Sequence, residues 1–128
     1  MAFHLMIVDD SAAMRAFIAR VIWLSGLDVG VCMEASNGQE ALDMLHANWT
    51  DIVLTDVNMP VMNGEQFVRC MGEDEMLRTI PVVVVSTDGS ENRVQKMMAL
   101  GAKGYVNKPF SPELLRQTIE QVLGVNHD

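Results

Sequence analysis

Pro81-Val82-Val83-Val84-Val85-Ser86 sets four consecutive valines between a proline and a serine. A strand turns successive side chains to opposite faces, so a run that is apolar at every position is covered on both sides. That is the setting of a central parallel strand with helices above and below it. The pattern repeats outward from this run. Phe3 to Val8 is an apolar stretch ending at Asp9-Asp10, and a helical spacing of Met14, Phe17, Ile18, Val21 and Ile22 follows it up to Gly26. Val29 to Glu34 reads as a second strand, and Asn37-Gly38 opens a helix carrying Ala41, Leu42 and Leu45. Asp51 to Thr55 is a third strand ending at Asp56, separated by the Pro60 loop and Gly64 from a helix over Phe67, Val68 and Met71. Beyond the valines, a helix over about Ser90 to Leu100 stops at Gly101. Gly104 to Val106 is a short strand, and Ser111-Pro112-Glu113 caps a last helix reaching Leu123.

Five strands alternating with five helices, joined by right-handed crossovers, predict an α/β fold: a flavodoxin-like, doubly wound, five-stranded parallel sheet of order 2-1-3-4-5. The 128 residues suffice for one domain, read as residues 1–128. No apolar run approaches the roughly 20 residues of a membrane-spanning helix, and no cationic leader precedes Asp9, so the reading is cytoplasmic without membrane insertion. A net charge of −8 argues against nucleic acid as a partner. Cys32 and Cys70 lack metal spacing and read as small core residues; Met44 and Met71 read as core too. His4, His46 and His127 are scattered and read as structural or solvated.

Order 2-1-3-4-5 puts the topological switch point between the first and third strands, where doubly wound sheets bind ligands. The carboxyl ends there carry Asp9, Asp10 and Asp56. Crowded carboxylates repel, and a hard cation with oxygen ligands relieves this; magnesium suits two carboxylates, a backbone carbonyl such as that of Asn58, and water. Lys108 after the fifth strand and Ser86 at the end of the fourth face the same crevice. A carboxylate beside a cation, an ammonium and a hydroxyl is equipped to receive a phosphoryl group, and Asp56 is the best-placed nucleophile. Taken alone, Asp9-Asp10 would be a turn and cap for the first helix, Lys108 a surface lysine and Ser86 a strand terminator.

The run Ile7-Val8-Asp9-Asp10-Ser11, the block Asp56-Val57-Asn58-Met59-Pro60 with Gly64, Ser86 after the valines, and Lys108-Pro109-Phe110 occur in order, each at a strand end. Together they resemble the receiver domains of two-component response regulators, most closely the single-domain chemotaxis type, over essentially the whole chain. The resemblance implies that Asp56 forms an acyl phosphate. It implies that Asp10, Asp56 and the Asn58 carbonyl bind magnesium directly and Asp9 through water, and that Lys108, set by a cis bond to Pro109, pairs with the phosphoryl group. Ser86 and Tyr105 would be the switch pair, biasing the surface of the fourth helix, fifth strand and fifth helix. Positions 58 and 88 would tune dephosphorylation; Asp88 either steers water or is merely solvated. A histidine kinase or histidine phosphotransfer protein would be the donor, and a motor component, phosphatase or relay protein the target of a monomeric switch rather than a turnover enzyme.

Arg93, Lys96, Met97, Lys103 and Tyr105 form a candidate basic and apolar partner surface. Trp23 and Trp49 fall at the end of the sheet away from Asp56. The competing reading is a metal-dependent phosphatase with an aspartyl nucleophile, but that class carries its nucleophile after the first strand and an acid two positions on, where this chain has Asn58. A flavin carrier of similar topology is disfavoured by the acidic first loop.

Overall fold

The computed structural model describes residues 2–124, so His127 and the last four positions lie outside the described residues. The elements are β1 (Phe3–Val8), α1 (Ala12–Leu24), β2 (Val29–Ala35), α2 (Gly38–Ala47), β3 (Ile52–Thr55), α3 (Gly64–Glu73), β4 (Val82–Ser86), α4 (Glu91–Ala99), β5 (Gly104–Asn107) and α5 (Pro112–Leu123). All strands are parallel in the order β2-β1-β3-β4-β5, as the sequence predicts. Element ends differ from expectation by a residue or so: Pro81, with no N–H to give a ladder, lies just outside β4.

The valine run divides as its period requires. Val82 and Val84 enter a core with Met6, Val8, Val53, Phe67, Met71 and Met97, while Val83 and Val85 enter a second with Leu5, Ile7, Ile18, Ile22, Leu115 and Ile119. One layer of helices covers each face. Met71 is buried and Met44 packs against the first core, as expected. The cysteines do not follow expectation: Cys32 is exposed and Cys70 only partly buried. β2 is an edge strand, and its middle residues have a neighbour on one side only.

Asparagine and serine side chains start the helices. Asn37, Ser90 and Ser111 accept the amides of Glu40, Arg93 and Leu114, and Asn63 forms a reciprocal capping box with Gln66. The Asn63 box fixes α3 directly behind the β3 loop. Trp23 and Trp49, 76% and 74% exposed, lie in the last turn of α1 and just before β3, at the amino end of the sheet. No helix among the described residues is long and apolar enough to cross a membrane.

Candidate metal and phosphoryl site

Parallel strands end together, and the ladder continues one residue past each end. The Asp9 amide donates to Ala35 O (3.1 Å), the Asp56 amide to Val8 O (2.9 Å) and the Lys108 amide to Ser86 O (2.8 Å). Three side chains with chemistry therefore begin from pinned backbone at one sheet edge.

Asp9 is the buried member. Its Oδ1 accepts the Ser11 amide at 2.9 Å and its Oδ2 accepts Lys108 Nζ at 3.0 Å. The helix cap itself is Ser11, which accepts the Met14 amide, so Asp9 is not spent on that role. Asp56 is largely buried: Oδ1 accepts the Val57 amide at 2.7 Å, and Oδ2 lies 3.6 Å from Lys108 Nζ. Asp10 is exposed at the mouth, and one carboxylate oxygen from each of Asp9, Asp10 and Asp56 falls within 4.8 Å of the others. Burial, above all, pushes the Asp56 carboxyl above its usual range, and the Asp9 and Asp10 charges add to this. The Val57 amide and Lys108 oppose the rise without cancelling it.

This donor set fits a hard divalent cation. Two oxygens on one magnesium stand at most about 4.2 Å apart, so a group of this spread closes on the ion by small side-chain rotations or through a bound water. Three carboxylates against one ammonium leave the crevice with an excess of negative charge for a cation to neutralise. Asn58 sits exposed in the following loop, between buried Val57 and Met59. The loop is tightly fitted: Gly64 N donates to Val57 O at 2.8 Å, and a Cβ at Gly64 would lie 2.2 Å from Asp56 O. Only glycine allows α3 to begin this close to Asp56.

Ser86 is fully buried, and its hydroxyl accepts the Asp88 amide at 3.1 Å. The Tyr105 hydroxyl donates to the Asp88 carbonyl, and burial raises its pKa. The Asp88 carboxylate, partly exposed, accepts the Ser90 amide at 3.1 Å and Arg93 Nε at 3.3 Å. The Lys108-Pro109 bond is cis, as the family resemblance implies.

The expected partner surface needs correction. Met97 is 0% exposed and belongs to the core; its neighbour Met98 is 42% exposed and holds the surface position instead. Arg93 and Lys96 are not free cations, because both reach Glu65 on α3, at 3.1 and 2.7 Å. Lys103 is exposed and Tyr105 partly buried, as expected for an edge strand and its approach. Nothing in the sequence singles out Glu65 as their partner: it is an ordinary acid in a first helical turn, with Arg69 four positions on.

Residues 5–120 match the family model of the response regulator receiver domain. The chain is 38% identical over 123 residues to the chemotaxis protein CheY1 of Helicobacter pylori, covering 95% of this chain and 98% of that protein. Its fold is similar to that of the Vibrio cholerae chemotaxis response regulator CheY4, with a TM-score of 0.84 at 31% identity over 95% of this chain and 99% of that one. The receiver domain of the Pseudomonas aeruginosa sensor histidine kinase PA1611, described with a magnesium ion in its active-site cleft, shares the fold at a TM-score of 0.85. It covers 97% of this chain and 99% of its own, at 18% identity. With the family's fold, strand order and strand-end acids all present, the chain belongs to the response regulator receiver domain family, as a receiver of the single-domain chemotaxis type.

Proposed function

We propose that this receiver, taken as one domain, works as a phosphorylation switch in which Asp56 accepts a phosphoryl group from a phosphohistidine. The donor is a histidine kinase or a histidine phosphotransfer protein. The observation that carries the reading is the meeting of Asp56, Asp9, Asp10 and Lys108 in one crevice. An Asp56 carboxylate oxygen attacks phosphorus, the P–N bond breaks with its electron pair left on the donor imidazole, and an acyl phosphate results. Lys108 already stands between Asp9 and Asp56, so its ammonium needs only a short movement to meet a phosphoryl oxygen. Ser86, one strand over, supplies a hydroxyl to another. Asp10, Asp56 and the Asn58 carbonyl would hold magnesium directly and Asp9 through water; the ion supplies charge neutralisation for the incoming anion. The PA1611 receiver, which shares the fold, supports the choice of ion.

The new charge then shifts Ser86 and Tyr105, and with them the α4-β5-α5 surface that a cytoplasmic target protein reads. A small donor such as acetyl phosphate with magnesium is expected to place one alkali-labile phosphate on each chain. Asp56→Asn is expected to abolish it. Labelling that persists in Asp56→Asn, or a wild type that takes no phosphate, refutes the assignment.

A further inference from the structure

Asp88, outside the crevice, bonds through its amide, its carbonyl and its carboxylate at once. Its amide donates to the Ser86 hydroxyl, its carbonyl accepts the Tyr105 hydroxyl, and its carboxylate accepts the Ser90 amide and Arg93 Nε. One loop residue thus touches both members of the switch pair. What anchors it is Arg93, which spans two carboxylates: Asp88 Oδ2 at 3.3 Å and Glu65 Oε2 at 3.1 Å. Glu65 also takes Lys96 at 2.7 Å, so α3 and α4 are joined through a single acid. Glu65 follows Gly64, whose backbone abuts the Asp56 carbonyl. The contacts run in a line from the phosphoacceptor loop through Glu65, Arg93 and Asp88 to Ser86 and Tyr105. The carboxyls of Glu65 and Asp88 both lie below their usual range. The Lys96 bond is the main cause for Glu65 and the Ser90 bonds for Asp88, with Arg93 adding to each.

We propose that Arg93 is a positioning residue which, by bridging Glu65 and Asp88, holds Ser86 and Tyr105 in their phosphate-free arrangement and so sets how readily phosphorylation switches the domain. The inference rests on the switch reading above. If the β4-α4 loop moves away from β5 and α3, the Tyr105 bond to Asp88 and the Arg93 bond to Glu65 break together. The bridge therefore favours the resting state, and removing it shifts the population towards the active one. Lysine at position 93 would give one point charge where the guanidinium presents a fork, and would not serve both carboxylates equally.

The test is titration of the magnesium-loaded protein with beryllium fluoride, followed through a 3-fluorotyrosine label, since Tyr105 is the only tyrosine. Arg93→Ala is expected to bind the mimic about three- to tenfold more tightly than wild type, the scale of one part-buried ion pair. Its Tyr105 resonance without mimic should already sit partway towards the bound position. Glu65→Gln should move both readouts in the same direction by less, because Arg93 keeps Asp88, and Arg93→Lys should fall between. The difference between Arg93→Ala and wild type should shrink as salt screens the bridge. Equal or weaker mimic binding by a folded Arg93→Ala, with the wild-type resonance position, overturns the inference while the switch reading stands. A wild type that ignores the mimic overturns the switch reading itself.

Discussion

Val61 is a β-branched residue with φ of +66°, at the centre of a tight turn in which the Met62 amide donates to Pro60 O at 2.7 Å. A three-residue turn with positive φ is strained, and a Cβ in this region costs about 1–2 kcal/mol. The Val61 side chain is 81% exposed, so little burial is lost on replacing it. A γ-turn of this hand has a ψ of about −65°, outside the left-handed helical region that asparagine tolerates, so glycine is the residue that relieves the strain. Glycine gives back about 0.5–1 kcal/mol of unfolded-state entropy, so Val61→Gly should stabilise by about 0.5–1 kcal/mol net. Alanine and asparagine keep the Cβ, lose only the β-branch and should gain less. For a chain of this size, 1 kcal/mol corresponds to about 3–5 °C in Tm. Urea and thermal unfolding should place Val61→Gly above the alanine and asparagine variants, with wild type lowest. If Val61→Gly melts at or below the wild-type temperature, the strain argument is wrong and the turn is held by something the side chain contributes.

Gly64→Ala should cost more than a surface change, about 2–4 kcal/mol by the scale of overpacking and backbone strain, because its Cβ would meet the Asp56 and Val57 backbone at 2.2 and 2.8 Å; phosphate uptake should fall with it. In metal-free buffer the buried Asp56 carboxyl keeps its proton to higher pH in the native state than in the unfolded one. The Asp56 contribution to stability is therefore fully present at low pH and is lost as pH rises through the folded pKa, against the opposite trend from the lowered Glu65, Asp74 and Asp88 carboxyls. Chemical denaturation should show Asp56→Asn lacking that decline, and magnesium at a hundredfold excess over its Kd should stabilise wild type by about 2.7 kcal/mol. Tryptophan fluorescence should respond only weakly to magnesium or phosphorylation, because Trp23 and Trp49 lie at the far end of the sheet; a large saturable quench would contradict this placement.

The fold was legible because the valine run leaves no alternative partition: a strand apolar on both faces needs two helical layers, and Val82 to Val85 feed two separate cores. The crevice was legible for a related reason. Asp9, Asp56 and Lys108 each follow a strand directly, and parallel strands bring such positions together whatever the loops do. The phase of α4 was not legible. Met97 and Met98 stand three and four residues beyond Val94, both compatible with one apolar stripe, and only packing against β4 and α3 decides that Met97 goes inside. Glu65 and Arg93 are 28 positions apart and joined only through the packing of α3 beside α4, so no local period announces them.

Under the proposed function, the same contrast separates the part held by the sheet from the part expected to move. Asp9, Asp56 and Lys108 are placed by backbone bonds between neighbouring strands, which carry no net charge and have no reason to reorganise when a phosphoryl group arrives. Asp88, Ser86 and Tyr105 are instead held to one another through the Ser86 and Tyr105 hydroxyls, and the Asp88 carboxylate is tied to the charged Arg93. Bonds of that kind answer to a new local charge at a cost of a few ion pairs rather than of the sheet. A switch needs its chemistry fixed and its readout loose. In this chain that division follows from which contacts the strand ends make with backbone and which the β4-α4 loop makes with Arg93.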